Sequence, residues 1–538
     1  MSKTSAAPSE PILSVSKLSV GFHGQPVTRD VTFELHSGRI TALVGESGSG
    51  KSLTSSAIMG LLPAGGQVLA GTVMASDGTH WIQFGGPHRT PLGQGAAMIF
   101  QDPMSSLNPS TRVGWQVAEG PMFHENISSE QAKTRVEKLF QEVDLPDPHG
   151  TFEKYPHELS GGQKQRVMIA LALAGNPRVL IADEPTTALD VTVQKAVLQL
   201  LKRLCHDRGL AVLFITHDLD VVREIADAVL VMSQGQILEA GDAQSVLDAP
   251  QNPYTQALLD AHTLTSAGPS CPKQGTPLIE GRHLRRSFVI HRTWRGHPKA
   301  SFTAVDDVSL ALWPGERVGL VGESGSGKST IGRMLLGLEK PDSGVVMLDG
   351  KPMNPEHPEA IQKMRCAAQL VFQDPFSALS PRMTIGNALR EVLQLHGHPE
   401  SDAEQLMQDV GLQPDDLNKR PGRFSGGQRQ RIVIARALAV RPRFLVLDES
   451  VAALDAHIQQ DILKLLHRLG QEKGLTYLFI SHDLAVIRSF CQRVLVLKNG
   501  KVVESGDTET VWSQPQHPYT QQLLNSRPGK VPKAIGVS

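Results

Sequence analysis

Short, unbroken apolar runs that end in glycine or in a charged pair set the rhythm of the chain. RITALVG (39–45) and RVGLVG (317–322) are strand-like runs stopped by glycine. Each leads into a helix-compatible stretch, from Lys51 and Lys328 onward. VLIAD (179–183) and FLVLD (444–448) are apolar at nearly every position, as expected of central strands covered on both faces. AVLFITHD (211–218) and TYLFISHD (476–483) repeat that form. Such strands, alternating with helical stretches, predict α/β units built on a largely parallel sheet. The longest uninterrupted apolar run, Val167 to Ala174, has eight residues. A membrane-crossing helix needs roughly 20, so the pattern predicts no span.

The pattern occurs twice. GESGSGKS stands at 45–52 and 322–329, an offset of 277, and FQDP at 100–103 and 372–375, an offset of 272. SGGQ (160–163 and 425–428), the THD/SHD triplets (216–218 and 481–483) and NPYTQALL/HPYTQQLL (252–259 and 517–524) are all offset by 265. Constant order with a slowly drifting offset is the mark of a tandem duplication. The reading is a flexible N-terminus (1–10), a first domain (11–262), a linker (263–276), a second domain (277–528) and a tail (529–538). The linker TLTSAGPSCPKQGT is small, polar and contains two prolines. The Arg- and His-rich stretch 282–299 that follows reads as a solvated loop between strands, with contact to acidic lipid headgroups or a partner as the alternative.

Composition narrows the class. Of 538 residues, 40% are hydrophobic and 20% charged, and 53 Lys+Arg face 54 Asp+Glu for a formal net charge of -1. That is enough apolar material for two large cores, and it lacks the basic footprint of a dedicated nucleic-acid binder. The four cysteines, Cys205, Cys271, Cys366 and Cys491, never fall in a CxxC spacing, so neither a disulfide framework nor a zinc site is expected. The first fifteen residues lack the apolar segment of a signal peptide.

The repeated motifs carry phosphate chemistry. GxxxxGKS between a strand and a helix is a phosphate-binding loop, in which glycines let backbone N–H groups approach the phosphates. That singles out Gly45, Glu46, Ser47, Gly48, Ser49, Gly50, Lys51 and Ser52. In the second copy it singles out Gly322, Glu323, Ser324, Gly325, Ser326, Gly327, Lys328, Ser329 and Thr330. Lys51 and Lys328 would neutralise phosphates, and Ser52 and Ser329 would ligate Mg²⁺. Carboxylates at the tip of an apolar strand are costly unless a cation or a reaction uses them. Asp183 and Asp448 are therefore assigned to the Mg²⁺ shell. Glu184 and Glu449 are assigned to the attacking water as general bases. Gln101 and Gln373 could reach Mg²⁺ and water through their amide oxygens, and His217 and His482 could bond a γ-phosphate. Ser160, Gly161, Gly162 and Gln163, with Ser425, Gly426, Gly427 and Gln428, open long helix-like stretches. A helix cap would explain them alone; an exposed N-terminus is also an anion site.

Phosphate loop, Gln, LSGGQ, DE, ALD and His in this order resemble the nucleotide-binding domain of ATP-binding cassette (ABC) proteins, over nearly the whole chain and twice. The resemblance implies two tandem P-loop (RecA-like) ABC ATPase domains. Each would have an antiparallel β edge region and a helical signature subdomain, at about 102–170 and 374–435. It also implies ATP and Mg²⁺ as cofactors and head-to-tail pairing of the two domains, 45–52 facing 425–428 and 322–329 facing 160–163. Asp190 and Asp455 would cross that interface, and Phe22 and Phe288 would stack under adenine. GESGSGKS, FQDPMSSLNP and the (N/H)PYTQxLL tails resemble the oligopeptide/dipeptide importer ATPases, and the fused form resembles the microcin C and glutathione importer ATPases. The implied partners are two transmembrane permease subunits and an extracytoplasmic binding protein, with no nucleic acid. The implied place is the cytoplasmic face of the bacterial inner membrane. No iron–sulfur cluster is expected, because only Cys271 lies near the segment that carries one in some peptide-importer ATPases. A fused sugar-importer ATPase and a soluble tandem-ABC translation or repair factor are the alternatives. Two departures stand out: Ser450 and Val451 replace the Pro185 and Thr186 of the first copy, and Phe424 gives FSGGQ.

Overall fold

The computed structural model describes residues 10–101, 106–186, 189–262, 275–292, 298–353, 357–372, 374–451 and 454–526. Gln373 and residues 263–274 of the proposed linker lie outside the described residues. The chain divides into two compact units that change over between residues 262 and 263.

Each unit carries the same two sheets. In the first, a six-stranded sheet runs in the order Gln236–Asp242, Ala228–Ser233, Ile40–Val44, Ala211–Thr216, Val179–Asp183, Ala96–Ile99. Its strands pair in parallel except at the Gln236–Asp242 edge. The other sheet is antiparallel and four-stranded, in the order Gln25–His36, Pro11–Phe22, Gly66–Ala75, His80–Gln83. The second unit repeats both, the six-stranded sheet as Ala368–Val371, Phe444–Asp448, Thr476–Ile480, Arg317–Val321, Arg493–Lys498, Lys501–Asp507 and the antiparallel one as Pro298–Leu312, Ile279–Arg292, Ser343–Leu348, Lys351–Pro352. The described part of the stretch 282–299 is therefore strand and not the expected loop: it pairs antiparallel across its hairpin, with Arg282 and Arg286 bonded to Glu280 and Asp342.

The unbroken apolar runs now have a physical reason. Successive side chains of a strand point to opposite faces, and here both faces are cores. Val179 and Ile181 join the cluster shared with the antiparallel sheet, while Leu180 and Ala182 join the cluster under the helices. Phe444 and Val446 alternate in the same way with Leu445 and Leu447.

A helical region follows the FQDP segment in each unit. It comprises Val113–Glu125, Ser129–Glu142 and Gly161–Leu173 in the first, and Ile385–Leu395, Asp402–Asp409 and Gly426–Leu438 in the second. The second unit adds a helix, Pro358–Ala367, before its edge strand. Phe424 fills the place of Leu159 without exposing itself, since each is 5% exposed. Among the described residues no helix is long and apolar enough to cross a membrane.

The described cysteines are unpaired. Burial, seconded by the nearby Asp227, pushes the Cys205 thiol up to about 12, and its Sγ donates to the Leu210 carbonyl at 3.3 Å. Burial also pushes the Cys491 thiol far up. Because the thiolate is the reactive form, a maleimide applied to the native protein should leave Cys205 and Cys491 unlabelled until denaturant is added. Peptide mass mapping that finds either one modified at the rate of a free thiol would contradict this packing.

Candidate active sites

The strand Ile40–Val44 delivers Gly45 at its end and the helix Lys51–Ile58 begins six residues later. Glycine is required at the first turn. Gly45 has φ 153°, and a Cβ there would lie 2.0 Å from the Met232 carbonyl oxygen; at Gly322 the corresponding distance to the Leu497 carbonyl is 2.2 Å. No side chain fits at that approach. The lysines turn back into their own loops. Lys51 Nζ donates to the carbonyls of Gly45 at 2.7 Å and Glu46 at 2.8 Å, and Lys328 Nζ to those of Gly322 and Glu323, both at 2.8 Å. Each lysine is 5% exposed. Their ammonium groups are thus held at the mouth of the loop.

The strand-tip carboxylates meet the loops. Ser52 Oγ donates to Asp183 Oδ1 at 3.2 Å and Ser329 Oγ to Asp448 Oδ1 at 2.9 Å. Burial raises both Asp carboxyls; the serine bonds oppose the rise, and neighbouring Glu184 and Glu449 reinforce it. A hydroxyl beside a carboxylate that is buried at Asp183 and partly buried at Asp448 forms a hard-oxygen donor set, the kind that suits Mg²⁺.

Glu184 and Glu449 sit one residue beyond, in left-handed backbone with φ 48° and 47°. Their N–H groups donate to the Ile215 and Ile480 carbonyls of the adjacent strands, both at 2.9 Å. A non-glycine residue in this region stores strain of roughly 1–3 kcal/mol, which persists only when surroundings over-determine it. Here the strand-to-strand bond does so.

His217 Nδ1 lies 3.0 Å from Glu184 Oε1 and Gln101 Nε2 donates to Glu184 Oε2 at 2.9 Å, so each carboxylate oxygen has a partner. In the second unit His482 Nδ1 is 3.5 Å from Glu449 Oε1. The His482 bond holds the Glu449 carboxyl below its usual range against the effect of burial. Burial works against the charged imidazole, yet the same bond leaves His482 above the ordinary range. The flanking residues explain the triplets. Thr216 Oγ1 accepts from the Asp218 N–H at 3.0 Å, and Asp218 Oδ1 caps the next helix through Asp220 and Val221. Ser481 and Asp483 do the same around His482. The histidine is clamped between a turn and a cap.

SGGQ is a capping box in both units. Ser160 Oγ accepts from Gln163 N at 3.3 Å while Gln163 Oε1 accepts from Ser160 N at 3.0 Å, and Ser425 and Gln428 match these distances. The second glycines are packing residues: a Cβ on Gly162 would come within 2.6 Å of Val193, and one on Gly427 within 2.4 Å of Ile458. Asp190 Oδ1 accepts from Val193 N at 3.1 Å, capping the helix Val191–Arg208; Asp455 is buried and makes no such cap. In the departure at Ser450–Val451, Gln459 Nε2 bonds the Val451 carbonyl where Gln194 Nε2 bonds the Thr186 hydroxyl, both at 3.4 Å. A main-chain acceptor substitutes for the lost side-chain one.

Phe22 pairs across its hairpin with Gln25, and Phe288 with Phe302. The return strand passes the phosphate loop, since a Cβ on Gly327 would lie 2.1 Å from the Ala304 carbonyl. Phe288 carries the Arg286 guanidinium 5.0 Å from its ring centroid. Phe302, 47% exposed, was not a candidate from sequence, where only its hairpin partner was singled out. Also missed were Tyr254 and Tyr519, whose hydroxyls accept from Glu46 N at 3.4 Å and Glu323 N at 3.0 Å. Their signal was the repeated PYTQ segment.

A profile of the ABC transporter family matches residues 28–187 and 305–452, and one of the oligopeptide/dipeptide transporter C-terminal region matches 238–272 and 503–536. The glutathione import ATP-binding protein GsiA of Salmonella typhimurium is 42% identical over 560 residues, covering 97% of this chain and 90% of its own. Those of Escherichia coli K12 and Shigella sonnei are each 42% identical over 557 residues, covering 96% of this chain and 89% of their own.

Proposed function

Because the chain belongs to the ABC transporter ATP-binding family and is an ATPase of its peptide-importer branch, we propose that it powers import of peptides or peptide-like thiols such as glutathione. The observation that carries this reading is the oligopeptide/dipeptide C-terminal region, present in both halves of a chain that spans nearly all of its fused relatives. Microcin C-type peptides belong to the same substrate class.

ATP would lie on each loop, its phosphates met by the backbone of 45–50 or 322–327 and by Lys51 or Lys328. Ser52 with Asp183, and Ser329 with Asp448, would hold Mg²⁺, with Gln101 and Gln373 completing the set. When bound, the ion supplies charge neutralisation across the β- and γ-phosphates. Glu184 and Glu449 orient the attacking water, and His217 and His482 hold those carboxylates in place. The opposite SGGQ would close each site, 425–428 over 45–52 and 160–163 over 322–329, with Asp190 and Asp455 across the contact. Adenine would stack on Phe22 and Phe288.

The pore would belong to separate permease chains at the cytoplasmic face of the inner membrane, served by an extracytoplasmic binding protein. The family resemblance places permease docking in the helical regions after Gln101 and Gln373, and Phe123 and Leu395 support that placement: they lie in the last turns of Val113–Glu125 and Ile385–Leu395, 272 residues apart, and are 84% and 80% exposed. With its permeases in proteoliposomes, the protein should hydrolyse ATP several-fold faster when the binding protein carries glutathione or a short peptide. Turnover indifferent to permease and loaded binding protein alike would remove the importer reading. Mass spectrometry of what the binding protein retains would name the cargo.

A further inference from the structure

The (N/H)PYTQ segments are built into the phosphate loops from the far end of each unit. Glu239 Oε1 and Oε2 accept from the backbone N–H groups of Gln251 and Asn252 at 2.8 and 3.2 Å, and Glu504 does the same for Gln516 and His517 at 2.8 and 3.0 Å. Asn252 Oδ1 then accepts from Tyr254 N at 2.9 Å, and His517 Nδ1 from Tyr519 N at 3.1 Å. The turn is fixed on both sides, and the tyrosine it presents reaches the loop 208 residues away in the first unit and 196 in the second.

The atom it reaches matters. The Glu46 N–H shares a peptide unit with the Gly45 carbonyl, and in a planar trans peptide the two point in opposite directions. Tyr254 holds the N–H, so the Gly45 carbonyl faces the other way, where Lys51 Nζ donates to it at 2.7 Å. Tyr519, Glu323, Gly322 and Lys328 repeat the arrangement at 3.0 and 2.8 Å. The Tyr519 ring is buried and has Lys498 Nζ 4.6 Å from its centroid.

We propose that Tyr254 and Tyr519 are positioning residues for nucleotide binding. Each hydroxyl fixes the plane of one loop peptide, and that peptide's carbonyl orients the lysine that meets the phosphates. This rests on the ATPase reading above. It gives the C-terminal region a task at the phosphate loop of its own unit, separate from any contact with a permease.

Y254F and Y519F remove only the hydroxyl. In the full-length protein, titration with Mg²⁺ and adenylyl imidodiphosphate should show Y519F raising Kd about fivefold, the size of one lost neutral hydrogen bond. Y254F should have a smaller effect, because its bond is longer. KM for ATP should rise with Kd, while kcat at saturation stays within about twofold and the nucleotide-free melting temperature holds; a merely structural tyrosine would move the last and not the first. Should Y519F melt early, E504Q loosens the same turn with the hydroxyl in place and should also raise Kd. Wild-type affinity in both Tyr519→Phe and Glu504→Gln, or a fall in kcat at constant KM, overturns the proposal. A wild-type chain that binds no nucleotide would overturn the ATPase reading and the proposal together.

Discussion

Replacing Glu184 and Glu449 together by glutamine should stop steady-state ATP hydrolysis while leaving ATP binding intact. Glutamine keeps the shape of the side chain and the left-handed backbone demands nothing more of it than glutamate did. What it loses is the charge. In the wild type both oxygens of Glu184 are held, one by His217 and one by Gln101, so the carboxylate is presented in a single orientation. An amide at 184 offers the Gln101 nitrogen or His217 a donor where an acceptor stood, and it cannot attract or deprotonate water. A positioned general base contributes about 10²–10⁴ in rate, and kcat should fall by that factor. The loop lysines, Ser52, Ser329, Asp183 and Asp448 are untouched, so nucleotide affinity should stay within about threefold. Phosphate release by the double variant within tenfold of wild type would sink the role given to these carboxylates.

The lowered carboxyl of Glu449 refines that role. A group held ionised by its histidine is a weak proton acceptor, so its main contribution is to aim the water and stabilise positive charge developing on it. The raised His482 is the matching half of the same bond. Burial of the pair is tolerated because the bond compensates for it.

Repetition made most of the site legible. One GESGSGKS is a flexible-turn pattern as much as a phosphate loop; two copies, each followed in the same order by DE and by His, single out the chemistry. The strands were legible for a related reason: runs such as VLIAD feed two cores at once, so each is apolar throughout. What stayed hidden depends on contacts distant in sequence. Nothing local reveals that Glu184 would be left-handed, because the restraint is the Ile215 carbonyl of a neighbouring strand. Phe302 gains meaning only when the hairpin sets it beside Phe288. Tyr254 and Tyr519 were visible as part of a repeated segment, but their target, one peptide of a loop some 200 residues earlier, exists only in the folded unit.

Loss of the loop lysines should have an effect of comparable size on binding rather than on turnover. Lys51 and Lys328 bring a full positive charge into sites where they are 5% exposed, and there a hydrogen bond to a phosphate is strengthened by charge and by poor solvation. A charged hydrogen bond contributes about 1.5–3 kcal/mol, which corresponds to a roughly 10- to 150-fold weaker nucleotide Kd for K51A or K328A at its own loop. Alanine is the best helix former, so the first turns of Lys51–Ile58 and Lys328–Leu335 should survive. The two loops lie in separate units, so each single variant should keep the other loop's nucleotide, and isothermal titration should see the stoichiometry halve. Arginine should not rescue either site. Its planar fork cannot aim at two carbonyls of one tight loop and a phosphate at once, whereas the ammonium of Lys328 points separate donors at Gly322 and Glu323. Full affinity at both loops in K51A/K328A would mean that backbone N–H groups alone carry the phosphates, and the tyrosine-to-lysine relay would then have nothing to position.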